Sequence, residues 1–117
     1  SHIEVYPACE VPIDTGLQSL TSVDGKTVAV NATTILKVHN PILLREIAGA
    51  DWENWASMKI RGIVCDVITC HKWNHSLAQA AEFIEAESYE ELWPCGLSVQ
   101  VVVLEDATET IPLRLFQ

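Results

Sequence analysis

Basic side chains are scarce in this sequence: seven Lys and Arg stand against sixteen Asp and Glu, a formal net charge of −9. The deficit is uneven, with −2 over residues 1–75 and −7 over residues 76–117. Nucleic-acid binding rests on Lys and Arg that displace phosphate counterions, so this balance excludes a nucleic-acid reader, and anionic lipid headgroups would repel the same surface. Long apolar runs are missing too. The richest segments, residues 63–68 and 99–104, are six residues each, far short of the roughly 18 needed to cross a bilayer. The five glycines are dispersed at positions 16, 25, 49, 62 and 96, so no glycine-rich loop exists to wrap a pyrophosphate. No basic segment followed by an apolar one opens the chain, so no secretory signal is expected within these residues. The four cysteines, Cys9, Cys65, Cys70 and Cys95, are irregularly spaced. Their density is not that of a disulfide-stapled module, and they read as reduced thiols acting as small hydrophobes. The sequons at Asn31-Ala32-Thr33 and Asn74-His75-Ser76 are too short to shift that reading.

What is present is an ordinary globular composition, 49% hydrophobic and 20% charged over 117 residues, enough for one domain with one core. A chain with no initiating Met that begins Ser1-His2-Ile3 reads as a single domain cut from a longer protein, with Ser1 and His2 a tag remnant. Up to His39 the apolar pattern has period two. Val11, Ile13, Leu17 and Leu20 fall in one extended stretch, and Val28, Val30, Ala32, Thr34, Leu36 and Val38 form one face of a second. Ser22-Val23-Asp24-Gly25-Lys26 between them is a hairpin signal. Asn40-Pro41 ends the ladder and Gly49 closes a short helical turn from Ile42 to Ala48. From Asp51, a fair N-cap, to Lys72 the period becomes helical, with Trp52, Trp55, Ala56, Ile60, Ile63, Val64, Val67 and Ile68 on one stripe.

A further helix starts at the capping pattern Ser76-Leu77-Ala78-Gln79. Its apolar stripe is Leu77, Ala80, Ala81, Ile84, Ser88 and Leu92, and its outer face carries Glu82, Glu85, Glu87, Glu90 and Glu91. Pro94 and Gly96 stop it. The valine-rich segment from Leu97 to Glu105 alternates Leu97, Val99, Val101 and Val103 against Ser98, Gln100, Val102 and Leu104. Both faces are largely apolar, which points to a central strand covered by helices on one side. The expectation is an α+β fold of order β-β-α-α-α-β, two main helices on an antiparallel-dominated sheet.

Catalytic chemistry finds little footing. Cys65, Cys70, His71, His75 and Cys95 suggest a metal-binding or thiol-based regulator, but Cys65 and Cys70 are five apart on a helix and turn to different sides, unlike paired zinc ligands. Cys70 and His71 are adjacent only in sequence, whereas a nucleophile needs its base in contact. Asp24, Asp51 and Asp66 are scattered and already explained by turn, cap and helix surface. No catalytic, cofactor-binding or metal residues are assigned. The glutamate row most often marks a solvated face and otherwise receives a basic partner. Trp52, Trp55, Trp73 and Trp93 read as core or interface aromatics.

Particular strings, in this order, resemble the SPFH (band 7) domain shared by stomatins, prohibitins and flotillins. Gln18-Ser19-Leu20-Thr21-Ser22-Val23-Asp24-Gly25 is similar to the family's Q-x-L-x-T-x-D-G turn. Val28-Ala29-Val30-Asn31-Ala32 is similar to its V-x-V-x-A/G strand, and Val38-His39-Asn40-Pro41 to its V-x-N/D-P string. Ile60-Arg61-Gly62-Ile63-Val64 lies where the family has its long helix. Trp93-Pro94-Cys95-Gly96-Leu97-Ser98-Val99 is similar to its W-G-I-x-V, and the segment through Ile111-Pro112-Leu113 to its final strand ending. The stretch Cys70-His71-Lys72-Trp73-Asn74-His75 departs from the family pattern. The resemblance implies a noncatalytic, cofactor-free scaffold, held on the cytoplasmic face of a membrane by an anchor outside this chain. It implies homo-oligomers, with a coiled coil also outside the chain, that organise membrane microdomains and regulate channels or membrane proteases. The expected interaction surface combines the strand faces with Glu82, Glu85, Glu87, Glu90 and Glu91, and with Trp52, Trp55 and Trp73 if these are exposed.

Overall fold

A computed structural model describes residues 10–23, 25–70 and 77–106. Two strands, β1 (Val11–Thr21) and β2 (Thr27–Val38), are followed by helices α1 (Pro41–Ala48), α2 (Trp52–Cys70) and α3 (Leu77–Leu92), a 3-10 turn (Trp93–Cys95) and strand β3 (Leu97–Asp106). The three strands form one antiparallel sheet in the order β1-β2-β3. The α+β class and the order of elements are those the sequence implies. Asp24, the 71–76 stretch with His71, Trp73 and His75, Cys9, and the segment from residue 107 onward lie outside the described residues.

The hairpin forms where the turn signal sits. Thr21 faces Thr27, Ser22 N donates to the Lys26 carbonyl at 2.8 Å, and Gly25 N donates to the Ser22 carbonyl at 2.9 Å. Asn40 has a use beyond ending the ladder: its side chain accepts from Leu43 N at 3.1 Å and caps α1, with Pro41 in the first turn where a missing N–H costs nothing. Helix α2 packs against β1 and α3 against β3, side by side on one face of the sheet. Between layers lies the core, with Val28, Val30, Ala32 and Leu36 of β2 facing Ala56, Ile60, Val64 and Ile68 of α2 and Ile84 and Leu92 of α3, all buried.

One strand departs from expectation. Among the described residues β3 is an edge strand, not the central one, because β2 lies between it and β1. Its two apolar faces have another cause. Leu36 pairs with Val99 and the adjacent Ile35 with Val101, leaving Gln100 as an extra residue. This bulge reverses the alternation, so Leu97 and Val99 point into the core before it, and Val102 and Leu104 after it. Val101 and Val103 are turned outward, 41% and 48% exposed.

A second bulge does the same to β1, where Thr15 and Gly16 together oppose Ala32. Ile13 and Thr15 are buried before it and Gln18 after it, so Leu17 ends up exposed instead of sharing a face with Ile13. The bulge is tied down from both sides. Thr15 Oγ1 donates to the Ala32 carbonyl at 2.9 Å, and Arg61 of α2 donates from Nη1 to the Thr15 carbonyl at 2.6 Å. Gln18 Nε2 returns a bond to the Arg61 carbonyl at 3.2 Å.

Gly96 joins the helical layer to β3. Its φ of 96° lies in the left-handed region, and its carbonyl accepts from His39 N at 2.9 Å and Asn40 N at 3.2 Å. A Cβ here would collide with the Asn40 carbonyl oxygen and sit 3.2 Å from Leu44 N. Gly25 also has a positive φ, 85°, but open space around it. Urea unfolding should therefore separate two variants: Gly25→Ala is expected to lose about 1 kcal/mol, the cost of the backbone angle alone. Gly96→Ala adds a backbone collision and is expected to lose about 3 kcal/mol or more. Equal losses would refute the close approach at Gly96.

Candidate functional site

Helix α3 buries Ala80, Ile84, Ser88 and Leu92 at helical spacing and turns its glutamates outward, Glu82, Glu87, Glu90 and Glu91 exposed and Glu85 half-buried. Two large aromatics break that division of labour. Phe83 and Tyr89 lie off the buried stripe, among the glutamates, and both are exposed. With Ala86 and Val99 they line a groove of about 650 Å³ between α3 and β3, rimmed by Glu82, Glu85, Glu87 and Glu90. Neither α3 nor β3 carries a Lys or Arg, so nothing on these two elements neutralises the rim.

The groove continues into a stack of rings. Tyr89 lies over Trp93 with centroids 5.5 Å apart at 18°, and Trp93 lies over His39 at 3.9 Å and 22°. His39 Nε2–H donates to the Trp93 carbonyl at 3.0 Å, fixing the stack to the end of β2. Near-parallel rings occupy one another's faces and offer mainly their edges outward. That is not the perpendicular box that encloses a quaternary ammonium.

A second surface lies on the opposite side of the sheet. The register places Pro12, Ile35 and Val101 in one row across the strands, and Asp14, Thr33 and Val103 in the next. Leu17 stands opposite Asn31 in a third row. Among the described residues no helix covers this face, and Leu17, Val101 and Val103 are exposed.

The aromatic residues singled out from the sequence separate. Trp52 is 6% exposed and belongs to the core cluster, so it drops out of the interaction surface. Position 52 starts α2, and the apolar stripe that made its tryptophan conspicuous is the one that buries it. Trp55 is half-buried against the core, with Lys59 Nζ 5.7 Å from its ring centroid. Trp73 is outside the described residues. The residues the sequence did not single out are Phe83, Tyr89, His39, Leu17, Val101 and Val103. For the first two a signal was there, large aromatics on the charged side of an amphipathic helix. For the valines and Leu17 it was hidden by the bulges.

The thiols do not converge on a ligand set. Cys65 is half-buried and Cys70 exposed at the last residue of α2, while Cys95 in the 3-10 turn donates to the Glu91 carbonyl at 3.4 Å. Among the described residues no three His, Cys, Asp or Glu side chains are placed to hold a metal ion. His71, His75 and Cys9 fall outside them. Among the described residues two buried polar atoms, Gln18 Oε1 and Ser88 Oγ, have no hydrogen-bond partner. No helix among the described residues is long and apolar enough to cross a membrane. No known family model matches this chain, and no curated protein matches it.

Core and rim tryptophans should respond differently in thermal and urea unfolding. Trp52→Ala empties a buried site and is expected to cost about 3–5 kcal/mol. Trp55→Phe keeps the packing and loses at most the cation–π contact with Lys59, about 1 kcal/mol or less. Similar losses for the two would place Trp52 outside the core.

Proposed function

We propose that this chain is a noncatalytic scaffold domain of the SPFH (band 7) kind, working by packing against copies of itself beside a membrane. The observation that carries the reading is the sheet face that no helix covers among the described residues. Its centre, Leu17, Ile35, Val101 and Val103, is apolar, while most of the acidic charge sits on the helical side. Two copies meeting through α3 would bring two rows of glutamates together, which costs free energy. Two copies meeting through the sheet face bring together mostly uncharged side chains, with Asp14 in the middle row on β1 and Lys37 and Glu105 towards the ends. Face-to-face packing of sheets about 10 Å apart is a common way to bury such a surface.

The resemblance of the strings from Gln18 to Gly25 and from Trp93 to Val99 to the SPFH domain supports the rest of the reading. In it the domain is held at the cytoplasmic face of a membrane by an anchor outside this chain. It organises microdomains there and regulates membrane-protein partners such as channels or proteases. The acidic body needs that anchor, because it has no basic patch to hold anionic lipid.

Sedimentation equilibrium from micromolar to millimolar concentration tests self-assembly. The chain is expected to form dimers or larger species, and the double substitution Val101→Glu with Val103→Glu to abolish them while leaving the circular dichroism unchanged. A chain that stays monomeric throughout, or a variant that associates as well as the parent, would contradict the proposal.

A further inference from the structure

We infer that two copies of this chain meet through the sheet face as a closed two-fold pair with their β2 strands antiparallel, Lys37 of each copy lying against Glu105 of the other. This alignment rests on the self-assembly reading above and specifies how the two copies meet.

Charge is sparse on the face. Within the strands its outward charged side chains are Asp14 on β1, Lys37 on β2 and Glu105 on β3. Glu10 precedes β1 and stays at a corner of the overlap in either alignment considered below. Lys37 lies in the row of Ser98, and Glu105 in the row of Asn31, six residues back along β2. Six residues of strand span about 20 Å, so the two side chains cannot touch within one copy. Both are exposed, and among the described residues neither takes part in an ion pair. Asp14 is already engaged, accepting from Gly16 N at 2.9 Å beside the β1 bulge.

A two-fold axis lying between two facing sheets runs either along the strands or across them. An axis along the strands sets each row over itself, with β2 on β2 and β1 over β3 of the other copy. Lys37 then faces Lys37 of the other copy, while Val103 faces Asp14 and Leu17 faces Glu105. Like charges meet and carboxylates lose water over apolar side chains, and both cost free energy.

An axis across the strands, midway between the rows of Thr33 and Ile35, reverses the order of rows while each strand faces itself. Val101 and Val103 of one copy then cover Val103 and Val101 of the other, and Ile35 covers Thr33. Lys37 arrives over the row of Asn31, one strand, or about 4.8 Å, to the side of Glu105 of the other copy. A lysine side chain reaches that far, and the pairing occurs twice, once at each end of the interface. The two Asp14 side chains stay about 12 Å apart, two residues along the strand and one sheet spacing across. That exceeds the screening length of about 8 Å at physiological salt. Both copies use the same surface, so this contact closes at two.

Reversing one charge at a time tests the alignment. In sedimentation equilibrium at low salt, Lys37→Glu alone and Glu105→Lys alone are each expected to weaken self-association at least tenfold, since each turns two attractions into two repulsions. An equimolar mixture of the two variants is expected to associate about as tightly as the parent chain, because opposite charges then meet at both ends. Recovery in the mixture shows that both variants are folded. With the two positions about 20 Å apart in one copy, it arises only from contact between copies. A mixture no tighter than the separate variants would overturn the inference, as would single variants that associate like the parent. So would Lys37→Glu pairing with the parent more tightly than the parent pairs with itself, the mark of an axis along the strands. In each of those cases, loss of association in Val101→Glu with Val103→Glu still upholds the sheet-face reading. A parent chain that stays monomeric overturns that reading and the alignment together.

Discussion

Two helices can cover only one face of a three-stranded sheet, and in this chain the bulges at Thr15–Gly16 and Gln100 decide which side chains that face receives. Without the second bulge, the alternation begun by Leu97 and Val99 would carry Val101 and Val103 into the core. With it, Val102 and Leu104 go in and two valines go out. The core therefore loses no apolar burial by the bulge, since Val102 and Leu104 fill the places Val101 and Val103 would have taken, and two valines remain on the outer face. The Arg61 clasp on the Thr15 carbonyl has the same consequence on the other edge, since it holds the bulge that leaves Leu17 exposed.

Charge is distributed in keeping with this division. The helical side carries the glutamates of α3, and the sheet side carries an apolar centre with few ions around it. A surface of one sign repels its own copy and attracts a cationic stranger, whereas a nearly neutral apolar patch suits a copy of itself.

Much of the fold was legible because its signals are local. The period-two face of β2, the hairpin at Gly25 and the helical stripe from Trp52 to Ile68 each follow from spacing, and each is in place. The capping role of Asn40 was also within reach, since Pro41 after it marks a helix start as readily as a strand stop. Strand order was not legible. A strand with two apolar faces is the ordinary mark of a buried position, and a one-residue bulge imitates it by changing phase midway. The candidate site was half legible: the glutamate row was visible as a row, but its groove comes from Phe83 and Tyr89, and their off-stripe positions gain meaning only once β3 is known to be the neighbouring edge. Trp52 shows the converse error, a conspicuous aromatic whose helical spacing already assigned it to the core.

If copies meet through the sheet face opposite the helices, a photo-crosslinking side chain at position 35, in the middle strand of that face, should capture them in the act. Covalent homodimers are expected, with crosslinks that map to outward residues of β1, β2 and β3 in the second copy. Crosslinks that land on the glutamate side of α3, or a chain that yields no homodimer at concentrations where it sediments as one, would place the meeting surface elsewhere.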